Sequence, residues 1–182
     1  MKNNPNPKQP IPDSTNLVFL IGMPGVGKTF WGEQIAQKLE LPFVDLDIFV
    51  ATEENASISA LFATFGEKGF REREQTQLKK LIKKTTSAAI IACGGGTPCY
   101  GDNMPLMKTA GTVIYLQAHV PLLLEHLSRS NEARPLLNNR GDLGAYLSDL
   151  LKKREPFYTQ AHHILQTKDI SLATFTKIIS HA

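Results

Sequence analysis

Residues 22–29 form the sequence GMPGVGKT, which lies between the apolar run Leu17–Ile21 and a segment whose apolar residues have helical spacing. The glycines at positions 22, 25 and 27 let the backbone turn its N–H groups toward one point. The positive end of the following helix faces the same point, so an anion is expected there. The stretch predicts a phosphate-binding loop between a strand and a helix. The alternative is a glycine-rich turn that binds nothing.

Two side chains of this loop suit a nucleoside triphosphate. Lys28 can reach the outer phosphates as a point charge, and the Thr29 hydroxyl can ligate the magnesium ion that accompanies them. The sequence therefore predicts a magnesium-bound nucleotide as the ligand of this loop.

The composition indicates one domain and gives no sign of a nucleic-acid or membrane partner. The chain has 182 residues, of which 42% are hydrophobic, and a net charge of only +3. Its two cysteines, Cys93 and Cys99, form neither a disulfide framework nor a CxxC metal pair, which favours a reducing cytoplasm. Residues 1–15 are rich in Asn, Pro and Lys, and we expect a disordered lead-in before a domain spanning residues 16–182. A monomer is expected.

Strand and helix patterns alternate along the domain. Five apolar segments read as strands, with helical patterns between them. This alternation predicts an α/β fold with a five-stranded parallel sheet, helices on both faces and ligands at the carboxyl ends of the strands. The predicted strands are Leu17–Ile21, Phe43–Asp47, Ala88–Cys93, Thr112–Leu116 and His163–Gln166. The predicted helices after the first are Ile48–Gly66, Glu67–Thr85, Met104–Ala110, Pro121–Ser130, Leu143–Lys153 and Leu172–Ile179.

One polar segment interrupts this alternation. Residues 131–141 are Asn-rich, surround the sequence Arg134-Pro135-Leu136-Leu137 and are too many for a tight turn. Loops of this kind often close over bound substrates, so the segment is interpreted as a lid.

Two carboxylates stand at the end of the second predicted strand, where they can face the phosphate loop. Asp45 and Asp47 are two residues apart and share one face if the strand stays extended. The strand that ends at Cys93 is followed by glycine rather than by an acid, and no guanine-recognition signature Asn-Lys-x-Asp is present. One of the two aspartates can therefore assist magnesium, and the other can accept a proton from an attacking hydroxyl, as a kinase requires. The alternative is a solvated strand end that caps a helix.

Further motifs follow in a fixed order and carry a family resemblance. These motifs, together with the phosphate loop and the aspartate pair, make the chain resemble the shikimate kinase family. The members of this family are small cytoplasmic P-loop enzymes of the aromatic amino-acid pathway. The resemblance extends from about Leu17 to the C-terminus. The further motifs are Phe70-Arg71-x-x-Glu74, Gly94-Gly95-Gly96, Arg134-Pro135-Leu136-Leu137 and Arg154-x-Pro-x-Tyr158.

The resemblance implies transfer of the γ-phosphoryl group of ATP to the 3-hydroxyl of shikimate. It implies that Asp45 holds Mg²⁺ through water together with Thr29, and that Asp47 binds the reacting hydroxyls. It further implies that Arg71 and Arg154 bind the carboxylate and that the Gly95 backbone contacts the substrate. Catalysis would rest on Lys28, Asp47 and Arg134, the last on the lid. The implied ATP-binding residues are Gly25, Val26, Gly27, Lys28, Thr29, Phe30 and Arg134.

Some positions depart from the family pattern, and other functions stay open. Phe30 replaces a usual hydroxyl residue, Glu33 replaces a frequent arginine, and residues 168–172 match poorly where adenine is contacted. Arg129 could stack on the base, although a solvated arginine at a helix end is the competing interpretation. The competing functions are another small-molecule or nucleoside monophosphate kinase of this fold, such as a gluconate kinase, and a nucleotide-dependent binding switch without catalysis.

Overall fold

The structure is a computed structural model that describes residues 17–129 and 142–180. Its centre is a five-stranded sheet in the order β2-β3-β1-β4-β5, and every pair of neighbouring strands is parallel. The strands are β1 (Leu17–Ile21), β2 (Phe43–Asp45), β3 (Ala89–Ala92), β4 (Gly111–Gln117) and β5 (His163–Gln166). The predicted α/β fold and parallel sheet are confirmed.

Seven α-helices connect or follow these strands within the described residues. They are α1 (Lys28–Leu39), α2 (Leu46–Glu53), α3 (Ile58–Lys84), α4 (Asn103–Ala110), α5 (Val120–Arg129), α6 (Leu143–Tyr158) and α7 (Leu172–Ile179). Short 3₁₀ turns cover Thr97–Cys99 and Thr167–Asp169.

The central strands owe their place to continuous apolar sequence. All five residues of β1 and all four of β3 are buried, as expected for parallel strands that are covered on both faces. Because β1 lies in the middle of the sheet, the loop that follows it emerges at the centre of the carboxyl edge. The phosphate loop is therefore placed beside the ends of β3 and β4.

The segment after β2 differs from the sequence prediction. The extended backbone ends at Asp45, whose side chain accepts hydrogen bonds from the N–H groups of Asp47 (3.0 Å) and Ile48 (3.3 Å) and so begins α2. The two aspartates consequently do not share a strand face. The predicted helix Ile48–Gly66 is two helices: α2 ends at Glu53, and Ser57 caps the start of α3 through the N–H of Ala60.

Two helix ends also differ. Gly66 stops regular helix as predicted, but α3 continues after a kink because glycine adopts φ 65° there. Helix α6 was predicted to end at Lys153, and it extends to Tyr158 with Pro156 inside its last turn. The extension buries Arg154 and Tyr158. This burial offsets the free-energy cost of the helical hydrogen bond that Pro156, which has no N–H, cannot donate.

Two predictions lie outside the described residues: the disordered lead-in at residues 1–15 and the lid at residues 131–141. No helix among the described residues is long and apolar enough to cross a membrane.

Candidate functional site

The phosphate loop joins β1 to α1, and its backbone has the conformation that its glycines permit. Gly22, Gly25 and Gly27 have φ values of 143°, 84° and 92°. The Lys28 ammonium group donates hydrogen bonds to the carbonyl oxygens of Gly22 (3.0 Å) and Met23 (3.1 Å). The lysine thus lies across the loop interior, where a phosphate group would replace these carbonyl contacts with charge-assisted ones.

Thr29 and Asp45 form a pair of hard oxygen ligands beside the loop. The Thr29 hydroxyl donates a hydrogen bond of 2.9 Å to Asp45 Oδ2, while Asp45 Oδ1 accepts from the backbone of α2. Mg²⁺ is usually held by one or two protein oxygens together with substrate phosphates and water. No cluster of three or more His, Cys, Asp or Glu side chains that could hold a metal occurs among the described residues. The pair fits a magnesium ion shared with ATP. Because the Thr29 hydroxyl donates its proton to Asp45, the lone pairs of its oxygen remain able to coordinate the ion.

Asp47 lies in the first turn of α2 and faces the glycine run. A Cβ atom at Gly94 would lie 2.9 Å from both Asp47 Oδ1 and Glu74 Oε1. Burial, followed by the neighbouring carboxylates of Glu74 and Asp45, raises the pKa of Asp47 to about 6 against the opposing charges of Lys28 and Arg71. Asp47 is therefore the carboxylate whose proton affinity is best matched to accepting a proton near neutral pH.

Arg71 is fixed by a buried network on α3. Its Nη1 donates a hydrogen bond of 2.7 Å to Glu74 Oε2, and the Thr97 hydroxyl donates one of 2.7 Å to Glu74 Oε1. Asn103 in turn donates to the Thr97 carbonyl oxygen at 2.9 Å. Glu74, Thr97 and Asn103 are all 0% exposed. The network holds the guanidinium in one orientation in a place where water is excluded.

Two stacked phenylalanine rings support the same guanidinium. Phe62 and Phe70 have ring centroids 4.3 Å apart, and Arg71 Cζ lies 6.0 Å and 5.1 Å from their respective centroids. The rings stabilise the cation without competing for its remaining N–H donors.

Arg154 and Tyr158 stand one turn apart on α6 and reach the glycine run from the other side. The Tyr158 hydroxyl donates a hydrogen bond of 2.5 Å to the Gly95 carbonyl oxygen. Burial raises the pKa of Tyr158, so the phenol keeps the proton that it donates. Arg154 is 7% exposed.

Three consecutive glycines allow these groups to converge. A Cβ atom at Gly96 would overlap the Arg71 guanidinium, and one at Gly95 would lie 2.9 Å from Arg154 Nη1 and 3.1 Å from Pro24 of the phosphate loop. The glycine run thus lies between the guanidinium groups of Arg71 and Arg154 and the Asp47 carboxylate, and it also lies against the phosphate loop. This arrangement can bind a small carboxylate with hydroxyl groups beside a nucleotide.

The structure brings most of the predicted site residues together. Lys28, Thr29 and Asp45 lie at the phosphate loop. The side chains of Asp47, Arg71 and Arg154 lie against the glycine run that contains Gly95. The lid residue Arg134 lies outside the described residues. Phe30 is 59% exposed and packs edge-on against Trp31.

Three supporting residues were not assigned roles from the sequence. Glu74 and Tyr158 belong to recognised motifs, and their spacing of three and four residues from Arg71 and Arg154 could have indicated a shared helix face. Thr97 gave no sequence signal, because its contact with Glu74 depends on the turn after β3.

A further cavity lies at the carboxyl ends of β4 and β5. Its lining residues are Gln117, Ala118, His119, Gln166, Thr167 and Lys168.

Arg129 pairs with Glu125 at 2.9 Å and its side chain is exposed, which agrees with the solvated interpretation.

Comparisons show which known proteins the chain is similar to. A model of the family described as shikimate kinase matches residues 24–182. The shikimate kinase of Azobacteroides pseudotrichonymphae genomovar. CFP2 is 40% identical over 157 residues, which cover 85% of this chain and 92% of that protein.

Solved structures give the same result. The crystal structure of shikimate kinase from Bacteroides thetaiotaomicron superposes with a TM-score of 0.84 and 31% identity, covering 91% of this chain and 98% of that one. Shikimate kinase from Acinetobacter baumannii, solved in complex with shikimate, has a TM-score of 0.82 and 31% identity, and 93% and 96% of the two chains are covered.

Proposed function

Because the chain belongs to the shikimate kinase family, an ATP-dependent group of phosphotransferases, we propose that it transfers the γ-phosphoryl group of ATP to the 3-hydroxyl of shikimate. The products are shikimate 3-phosphate and ADP, and the reaction belongs to aromatic amino-acid biosynthesis. The observation that carries this proposal is the convergence of Arg71, Arg154 and Asp47 on the glycine run beside the phosphate loop.

Shikimate would bind through its carboxylate to Arg71 and Arg154. Guanidinium forks suit a carboxylate because they offer parallel N–H donors at fixed geometry. The two cations approach neighbouring glycines from different helices, so a carboxylate between them would orient the ring over Gly95. The missing Cβ atoms leave room for that close approach.

The phosphates of ATP would bind the loop from Gly25 to Phe30 through backbone N–H groups, with Lys28 as their mobile cation. Thr29 and Asp45 would hold Mg²⁺, Asp45 through water. When bound, the ion supplies neutralisation of charge on the β- and γ-phosphates.

Asp47 would accept the proton of the attacking 3-hydroxyl. The hydroxyl oxygen forms a bond to the γ-phosphorus, the bond from that phosphorus to the bridging oxygen of ADP breaks, and the hydroxyl proton moves to Asp47. With a pKa of about 6, Asp47 is ionised at neutral pH and can accept this proton. Arg134 would add positive charge near the phosphates.

The base of ATP would lie in the cavity at the ends of β4 and β5, which is on the carboxyl edge of the sheet next to the loop.

A monomer suffices in this scheme because one chain supplies every proposed group. Both cysteines are free thiols, which supports a reducing cytoplasmic location.

A coupled ADP-release assay with a substrate panel tests the activity. We expect turnover with shikimate and ATP, dependence on Mg²⁺, and no turnover with gluconate or a nucleoside monophosphate. Turnover of gluconate instead would assign the chain to another small-molecule kinase activity. Nucleotide binding without turnover of any acceptor would indicate a binding switch.

A further inference from the structure

Helix α5 lies against the phosphate loop, and His126 of that helix contacts the loop backbone. His126 Nδ1 is 2.8 Å from the Gly25 carbonyl oxygen. A carbonyl oxygen only accepts hydrogen bonds, so Nδ1 carries the proton and donates it. The tautomer of His126 is thus set by the loop.

The helix packs closely enough to hold this contact in place. A Cβ atom at Gly25 would lie 2.9 Å from Leu127 Cγ and 3.2 Å from the Leu123 carbonyl oxygen. Leu123 is fully buried, which fixes α5 to the body of the protein. Only glycine fits between the helix and the loop here.

The hydrogen bond determines which way one peptide group faces. The C=O and N–H of a trans peptide point in opposite directions, so holding the Gly25 C=O toward α5 directs the Val26 N–H into the loop. That N–H donates a hydrogen bond of 3.3 Å to the Met23 carbonyl oxygen, which also accepts one of 3.1 Å from the Lys28 ammonium group. The Val26 N–H therefore points to the place where Lys28 marks the anion site.

Glycine at position 25 makes this orientation depend on hydrogen bonds. The Val26 N–H bonds to Met23 inside the loop, where a bound phosphate group would replace that acceptor, and His126 holds the Gly25 carbonyl from outside. Gly25 has φ 84°, and glycine adopts several backbone conformations at similar free energy, so the Gly25–Val26 peptide can flip. A flipped peptide would present an oxygen instead of an N–H to a phosphate group.

We propose that His126 is a positioning residue for the phosphates of ATP, which acts by holding the Gly25 carbonyl from outside the loop and keeping the Val26 N–H directed inward. The proposal rests on the proposed function only in that the loop binds ATP. His126 itself touches neither phosphate nor base in this scheme.

Two substitutions and one control test it. His126→Leu removes the donor, whereas His126→Asn keeps an amide N–H near the position of Nδ1. Ser128→Ala on the same helix is the control, because the Ser128 hydroxyl bonds within α5 to the Glu125 carbonyl oxygen at 2.8 Å. Binding of ADP and of inorganic pyrophosphate is measured by titration calorimetry, and steady-state kinetics give both KM values and kcat.

We expect His126→Leu to weaken ADP and pyrophosphate by the same factor, about threefold to tenfold, which is the range for one hydrogen bond. The KM for ATP should rise similarly while the KM for shikimate stays constant. His126→Asn should recover wild-type binding to within about twofold, and Ser128→Ala should be unchanged.

Unchanged pyrophosphate binding in His126→Leu would overturn the proposal. If ADP binding alone were weakened, His126 would instead act at the nucleoside. An equal loss in His126→Asn and His126→Leu would also overturn the proposal. A wild-type protein that binds ADP but does not phosphorylate shikimate would refute the proposed function and leave this test intact.

Discussion

Arg71 and Glu74 form a buried ion pair of 2.7 Å across one turn of α3. Arg154, the other arginine of the pocket, has no carboxylate within ion-pair distance in the part of the chain that the structure describes. The two arginines therefore differ in this structure: Arg71 neutralises a buried carboxylate, whereas Arg154 carries the charge that we expect to be available to a substrate carboxylate.

This asymmetry predicts different effects for the same substitution. Arg71→Met and Arg154→Met should each raise the KM for shikimate at least about tenfold, because each removes charge-assisted hydrogen bonds worth roughly 1.5–3 kcal/mol. Only Arg71→Met should also lower the free energy of unfolding, by about 3–5 kcal/mol, since it leaves Glu74 buried and unpaired. Urea unfolding and steady-state kinetics measure the two quantities.

The control for the stability effect is the double variant Arg71→Met with Glu74→Gln. It should recover most of the lost stability and none of the affinity for shikimate. Equal stability of the two single variants would contradict the assigned difference between the arginines.

A carboxamide analogue of shikimate tests the same contact from the substrate side. Wild type should discriminate strongly against it, because the analogue keeps the ring and hydroxyls but lacks the charge. Arg154→Met should discriminate much less, since the interaction at stake is already absent. If wild type processes acid and amide with equal kcat/KM, the arginines do not bind a carboxylate.

Lys28→Met should leave the fold intact and abolish turnover. The substitution keeps a similar chain length but removes the cation from the loop, while the glycines that shape the loop remain. Circular dichroism should be unchanged and the ADP-release rate should fall to background. A variant with near-wild-type turnover would show that the loop does not hold the transferred phosphate.

The sequence predicted the fold because it depends on local patterns. Apolar runs such as Leu17–Ile21 specify buried parallel strands, and the strand order places their carboxyl ends together. The phosphate loop was predicted from its glycine spacing, from Lys28 and Thr29, and from the strand and helix that flank it.

The details that the sequence did not predict depend on competition between local and tertiary effects. Asp45 ends its strand because its side chain caps α2, which was the alternative for this pair in the sequence rather than the preferred extended strand over residues 43–47. The predicted helix Leu143–Lys153 is too short, because burial of Arg154 and Tyr158 carries α6 past Pro156. The contact of Thr97 with Glu74 joins residues 23 positions apart and has no local signal.

Gly96→Ala should impair shikimate binding without affecting ATP. The added methyl group would overlap the Arg71 guanidinium, which must then move out of its fixed orientation. We expect the KM for shikimate to rise at least about tenfold, the loss expected for one charge-assisted contact, with an unchanged KM for ATP. Gly144→Ala is the matched control, since a Cβ atom there meets no atom closer than 3.3 Å. A Gly96→Ala enzyme with normal KM values would mean that the position of Arg71 is not critical.

Asp47→Asn should lose activity and gain stability. The amide keeps the shape of the side chain but cannot accept the hydroxyl proton, so kcat should fall by about 10²–10⁴ while ATP affinity is kept. Burial raises the pKa of Asp47 from 3.8 to about 6. The folded protein therefore holds this proton to higher pH than the unfolded chain does, and stability is lost as the pH rises from about 4 to 6.

Replacing the Asp47 carboxylate by an amide should abolish this loss of stability at rising pH. In EDTA, the Tm of Asp47→Asn should exceed that of wild type at pH 7.5, and the difference should shrink as the pH is lowered to 5, where wild-type Asp47 is mostly protonated. Asp45→Asn is the control: it keeps a good helix N-cap and should raise the Mg²⁺ concentration needed for activity rather than lower kcat at saturating Mg²⁺. A lower Tm for Asp47→Asn at pH 7.5 would show that the Asp47 carboxylate stabilises the fold, and an unchanged kcat would exclude it as the proton acceptor.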